Sequence, residues 1–345
     1  MSKVRIAVMG AGLIGRRHVM HITQSQYAEI AAVIDPSPVG AVVAQEFGAP
    51  CYASLAEMLA VDRPHGVLVA TPNQLHKLNG LECIAAGLPA LIEKPLCDKL
   101  EDAAELVEAA EAAGVPLLTG HHRRHNLLMQ KAKEMIERGD IGRPLVANAM
   151  FWIKKPDDYF DVDWRREKGA GPVFLNLIHD VDNLRYLLGE VAAVTATESN
   201  AVRGNAVEET AVILLEFASG ALATASVCDA TVSPWSWEMT TGENPAYPKA
   251  DGEHCYLIGG TDGSLALPQL DLRRNNGLQS WYEPFELSRP ATPNEDPLAR
   301  QITHFAKVIR GEEAPLVSGR DGLETLRVIE AVKTSAASGQ RVRLA

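Results

Sequence analysis

A chain of 345 residues is too long for one ordinary hydrophobic core, so two domains are expected. Apolar residues at 46% and charged residues at 22% give the balance of a soluble globular protein, and a net charge of −11 argues against nucleic acid or an anionic membrane as the main partner. The five cysteines (Cys51, Cys83, Cys97, Cys228, Cys255) are scattered without a C-x-x-C pair, which reads as reduced thiols and not as a disulfide frame or a zinc site.

The opening "MSKVRIAVMGAG" runs directly into a strand-like segment without an apolar signal region. No stretch approaches the roughly 20 apolar residues of a membrane span, so a cytoplasmic protein is expected. "VRIAVMG" is a short β-branched strand closing on Gly10, and Leu13 to Ile22 follows as a helix. "EIAAVID" is a second strand ending in Asp35. "HGVLVATP", "PALIEKP" and "VPLLTG" are further buried strands, separated by helices over Gln74 to Ala86 and Asp98 to Ala113. Strands alternating with helices imply βαβ units and a doubly wound parallel sheet.

After Gly120 the texture changes. A helix over Asn126 to Arg138 leads to the strand "LVANAMFWI". Lys154 to Gly171 reads as a loop, and "GPVFLNLIHDVDNLRYLLG" as an amphipathic helix. "EETAVILLEFASGALATASV" and "EHCYLIGGTDGSLALP" are hairpins turning at Ser219-Gly220 and Asp262-Gly263. Asp229 to Asp251 and Arg273 to Pro297 read as long loops, and Arg300 to Arg310 and Leu323 to Ser335 as late helices. Strand runs with helices set apart suggest an α+β domain on an antiparallel sheet. The change of texture places the expected division after Gly120, with one domain over residues 1–120 and a second over 121–345.

"VMGAGLIGRRH" places Gly10-x-Gly12-x-x-Gly15 between the first strand and the first helix. These glycines suit a tight turn, close approach of backbone to a pyrophosphate, and close helix–strand packing. Leu13 and Ile14 belong to the same turn, whose backbone N–H groups would face the anion. Asp35 lies 20 residues after Gly15, where a carboxylate bonds ribose hydroxyls and repels a 2′-phosphate. NAD is the expected cofactor, with NADP as the alternative. Thr71, Pro72, Asn73 and His76 end the fourth strand and Glu93-Lys94-Pro95 the fifth, and ligands bind beyond the carboxyl ends of such strands. His121, His122 and His125 do not converge as a metal set, so "GHHRRHN" reads as a basic hinge whose Arg123 touches substrate hydroxyls, and no metal is expected. On the helix after Gly171, Asn176, His179 and Asn183 share a face.

Together "GAGLIGRRH", "ATPNQLH", "EKPL", "GHHRRHN" and His179-x-x-Asp182 resemble the glucose–fructose oxidoreductase / inositol dehydrogenase (Gfo/Idh/MocA) family over nearly the whole chain. The resemblance implies a Rossmann domain, then a domain with a large, mostly antiparallel open sheet that serves as a homodimer or homotetramer interface. It also implies NAD(P)-dependent oxidation of a secondary alcohol on a sugar, cyclitol or related polyol. Lys94 and His179 then flank the reacting hydroxyl, as hydrogen-bonding cation and as base, and Trp164 and Arg165 approach the nicotinamide. Trp152 is expected to line the substrate pocket. The family often carries an aspartate four residues before the histidine. Here that position is Leu175, and Asn176 stands three residues before His179 instead. The alternatives are a C=C or C=N reductase of the same fold and a non-catalytic nucleotide-sensing regulator.

Overall fold

The computed structural model describes residues 2–344. The chain divides into two compact units. One comprises the residues up to Asn126 together with Glu295–Leu326, and the other Leu127–Asn294 together with the residues from Arg327 on.

In the first unit six strands form one parallel sheet: Val4–Met9 (β1), Ala28–Ile34 (β2), Cys51–Tyr52 (β3), Gly66–Val69 (β4), Ala90–Ile92 (β5) and Leu117–Thr119 (β6). Their order is β3-β2-β1-β4-β5-β6. The connecting helices are Leu13–Gln24 (α1), Pro38–Phe47 (α2), Leu55–Val61 (α3), His76–Ala85 (α4) and Leu100–Ala113 (α5). The central strands are largely apolar because both faces of the sheet are covered there; Ile6, Val8, Val33, Leu68 and Leu91 are fully buried. The order reverses between β1 and β4, and such a reversal opens a crevice beyond the carboxyl ends of the strands. Two glycines set its floor. Gly10 has φ +93°, and a Cβ there would stand 2.6 Å from the carbonyl oxygen of Ala70. A Cβ on Gly15 would stand 2.0 Å from the carbonyl oxygen of Gly10, so α1 lies against β1 closer than any side chain permits.

In the second unit nine strands form one sheet: Pro144–Trp152 (β7), Val191–Ser199 (β8), Thr210–Phe217 (β9), Leu222–Cys228 (β10), Tyr256–Gly260 (β11), Ser264–Leu267 (β12), Asp271–Asn275 (β13), Phe285–Ser288 (β14) and Val342–Arg343 (β15). The order is β14-β13-β12-β11-β7-β10-β9-β8-β15, antiparallel except for the β7–β10 pair. Leu127–Glu137 (α6) and Ile178–Leu188 (α7) belong to this unit. Leu177, Ile178, Val181 and Leu184 share one apolar core with Ala147, Ala149 and Phe151 of β7. The alternate residues of β7 face the other way. A single π-helical turn, Val173–Leu177, precedes α7. The segments expected as long loops carry structure of their own: Asp229 to Asp251 contains the helix Trp237–Thr241 (α8), and Arg273 to Pro297 contains β14. Among the described residues no helix is long and apolar enough to cross a membrane.

Candidate active site

The crevice of the first unit is a cleft of about 690 Å³ lined by Gly10, Ala11, Gly12, Asp35, Thr71 and Pro72, among others. A Cβ on Gly12 would meet no protein atom within 4 Å, so this part of the turn faces open space while Gly10 and Gly15 face backbone. That combination fits a phosphate laid against the turn. Asp35 is held at the edge of the cleft: its Oδ2 accepts from the Ala11 N–H at 2.7 Å, and its Oδ1 from the Ser37 N–H and hydroxyl at 2.8 and 2.6 Å. Burial pushes its carboxyl up, but the Ser37 hydroxyl and these N–H groups prevail and hold it below the usual range. Leu13, at the mouth of the turn, is exposed, and Ile14 packs against the core beneath.

At the end of β5, Glu93 is buried. Its Oε1 accepts from His18 Nε2 at 2.7 Å and its Oε2 from the backbone N–H of Lys94 at 3.1 Å. Burial would raise this carboxyl, but the His18 hydrogen bond and charge, with His122 and Lys94 nearby, hold it at about 2. Gly120 leaves the necessary room, since a Cβ there would come within 3.1 Å of Glu93 Oε2. Glu93 therefore anchors the backbone from which the Lys94 side chain departs.

His76 does not face the cleft, contrary to the sequence expectation. It is fully buried, with Nδ1 2.8 Å from the Pro95 carbonyl and Nε2 2.9 Å from that of Thr71. It ties together the chain segments that leave β4 and β5, because the first turn of α4 points inward. Asn73 lies in the short turn Asn73–Leu75 that leads into α4. Arg123 and its neighbours His121 and His125 are buried in the first unit, and the rings of His125 and His304 lie 5.2 Å apart.

In the second unit, His179 is 7% exposed on α7. Two other polar residues of the helix dock it to the sheet. Tyr256 donates its hydroxyl to Asp180 and accepts from Asn183 Nδ2 at 2.9 Å, with its ring stacked on Trp237. Asn183, which shares a sequence face with His179, is thus a structural residue. The π-helical turn is secured by Glu208, whose Oε1 accepts from the Val173 N–H at 3.0 Å and whose Oε2 accepts from Lys333 at 2.6 Å. Asn176 lies in that turn, and its Oδ1 accepts from Lys155 Nζ at 3.0 Å. Lys155 also pairs with the buried Asp229 at 2.9 Å, and Asp229 with Arg203.

Trp152 stands apart from this group. β7 alternates, and Trp152 falls on the face away from α7, where its indole donates to Ser226 Oγ at 2.8 Å and meets Trp235 edge-on. It does not line a pocket with His179. Trp164 is exposed, and the Arg165 guanidinium lies 4.1 Å from the ring centre of Tyr159. Sequence reasoning missed His18, Lys155, Asp229 and Glu208. Lys155 had a signal: it is on the same odd-numbered alternation as Phe151, two steps beyond the strand.

Two family models match the chain. The NAD-binding Rossmann domain of the Gfo/Idh/MocA oxidoreductase family covers residues 4–121, and the Gfo/Idh/MocA C-terminal domain covers residues 129–266. The chain belongs to this family. It is 29% identical to a 1,5-anhydro-D-fructose reductase of Ensifer adhaerens, over 99% of this chain and 98% of the relative. It is 28% identical to a myo-inositol 2-dehydrogenase of Thermotoga maritima, over 99% and 98% of the two chains. Among solved structures, the WlbA dehydrogenase of Bordetella pertussis in complex with NADH and UDP-GlcNAcA is similar at a TM-score of 0.79 and 25% identity, covering 100% of this chain and 99% of that one. The protein is accordingly an NAD-dependent oxidoreductase of a sugar and polyol family, with the parallel Rossmann sheet and the largely antiparallel second sheet of that family.

Asp35→Ala removes the anchored carboxylate from the cleft. The ratio of NADPH to NADH dissociation constants, read by cofactor fluorescence, is expected to fall by about tenfold, the value of one or two lost hydrogen bonds and a lost repulsion. An unchanged ratio refutes the assignment of Asp35. Glu93 binds its proton less tightly folded than unfolded, so its stabilisation is complete above its ordinary 4.5 and is lost as pH falls toward about 2. Thermal melts of Glu93→Gln are expected to show a flatter pH dependence than the parent across that window; parallel curves would contradict it.

Proposed function

We propose that the protein oxidises a secondary alcohol of a sugar, cyclitol or related polyol, with Lys94 and His179 on either side of the reacting hydroxyl. The observation that carries this reading is Lys94 itself: it follows β5, the neighbour of the β4 strand whose end lines the cleft, and its backbone is anchored by a buried carboxylate. A cationic side chain leaving that strand end is suited to an oxygen on which negative charge develops. NAD, when bound, supplies the acceptor for the hydride that leaves the carbinol carbon. His179 takes the hydroxyl proton as the C–O bond becomes a carbonyl, an imidazole being the side chain whose ordinary pKa suits a base near neutrality. The Lys94 ammonium stabilises the alkoxide in between. Asn176, three residues before His179, holds a neighbouring substrate oxygen, and Trp164 and Arg165 belong to the nicotinamide side. In the reductive direction His179 returns the proton.

The same reading includes a homodimer or homotetramer built through the second sheet. Its support is the sheet face away from α7, where Val146, Val212, Leu214, Leu222 and Leu257 are exposed on adjacent strands. An apolar patch of this kind marks an interaction surface.

The activity is tested with myo-inositol, D-apiose, D-glucose, D-gluconate and D-glucuronate, each with NAD⁺ and NADP⁺, by absorbance of the reduced cofactor. At least one is expected to react, and His179→Ala and Lys94→Ala each to lose on the order of a hundredfold or more in kcat while still binding NADH. No reduction by any of the five, or near-parental turnover in both variants, would refute the reading. For the assembly, sedimentation is expected to give a dimer or tetramer that Leu214→Arg dissociates; a monomeric parent sinks this part.

A further inference from the structure

Lys155 sits in the stretch between β7 and the π-helical turn, where the sequence offered only a polar loop. It is 8% exposed. Its Nζ reaches three groups: Asn176 Oδ1 at 3.0 Å, Asp229 Oδ2 at 2.9 Å, and the ring of Tyr159, 5.0 Å away at the centroid. Asp229 is fixed in turn by Arg203, which bonds both its carboxylate and its carbonyl oxygen. Burial pulls the Lys155 ammonium below its ordinary value, and the charge and hydrogen bond of Asp229 oppose that fall.

A lysine ammonium has donors and no acceptor, so it can face only the oxygen of a side-chain amide. That contact decides which way Asn176 points. With Oδ1 turned to Lys155, the side of the amide that faces the other way carries the pair of Nδ2 protons. A carboxylate at such a position presents acceptors on that side; this amide presents donors there. π-helical turns of this kind recur at functional sites.

We propose that Lys155 is a positioning residue that fixes Asn176 as a hydrogen-bond donor to the substrate. The subsite beside His179 therefore takes an oxygen with a free lone pair, whether hydroxyl, ring or carboxylate oxygen, and rejects an ammonium, which has no lone pair to offer. The inference rests on the dehydrogenase reading above, in which Asn176 and His179 contact the same substrate.

Lys155→Met removes the ammonium while Asp229 keeps Arg203, so no buried carboxylate is stranded. On the most active polyol of the five, Lys155→Met and Asn176→Ala are each expected to lower kcat/KM by about tenfold, the size of one hydrogen bond. The double variant loses no more than either alone, and Lys155→Arg recovers most of the activity. Asn176→Asp keeps the size of the side chain and a partner for Lys155 but has no donor, and it falls as far as Asn176→Ala. Melting temperature and NADH affinity stay near parental in Lys155→Met, which a purely structural lysine would not allow. Independently of any substrate, the Asn176 side-chain amide pair in a ¹H–¹⁵N spectrum, assigned by its loss in Asn176→Asp, shifts in Lys155→Met. Additive losses in the double variant, parental activity in Asn176→Asp, or an unmoved amide pair would overturn the proposal. If Lys94→Ala and His179→Ala both keep near-parental turnover, or none of the five polyols reacts, the dehydrogenase reading fails instead, and the amide shift alone then decides whether Lys155 orients Asn176.

Discussion

The first unit depends on a close approach. The space a Cβ on Gly15 would need lies 2.0 Å from the carbonyl oxygen of Gly10, so α1 rests directly on the backbone of β1. This contact puts the start of the helix at the floor of the cleft, where its N–H groups face outward. It also sets the depth of everything further along α1. His18, one turn on, arrives at bonding distance from Glu93 at the end of β5, and Glu93 in turn holds the backbone N–H of Lys94. A glycine chosen for packing thus determines where a lysine four strands later in the chain begins.

The second unit follows a different constraint, that a charge withdrawn from water must be paired. Glu208 is matched by Lys333 and the Val173 N–H, and Asp229 by Arg203 and Lys155. These pairs converge on the π-helical turn before α7. Glu208 accepts from the Val173 N–H of the turn, and Lys155 donates to the side chain of Asn176 within it. The polar residues of α7 divide accordingly: Asp180 and Asn183 serve the sheet through Tyr256, and Asn176 is oriented by a lysine.

Much of this was legible residue by residue. The glycine turn, Asp35 at the end of β2, Glu93-Lys94 at the end of β5 and the alternation of strand and helix could be read because each is a local pattern with a local cause. His76 and Trp152 were misread for one shared reason. Position after a strand end, or near the end of a strand, does not say which face a side chain takes, and His76 turned inward to two carbonyls while Trp152 turned to the far side of its sheet. β8, with "VAAVTATES", and β14, with all four residues exposed, carried too weak an apolar alternation to stand out.

By itself the sequence determined the family, the dinucleotide cleft and the identity of the residues at the strand ends, because turn chemistry and periodicity act over a few neighbouring positions. Only the tertiary structure decided which buried groups partner one another: His18 with Glu93 is a pairing 75 residues apart, and Lys155 with Asp229 joins a loop to a strand end. Those partners are found by burial, since a desolvated charge must be met by whatever the fold brings within reach, and no spacing in the chain encodes that distance.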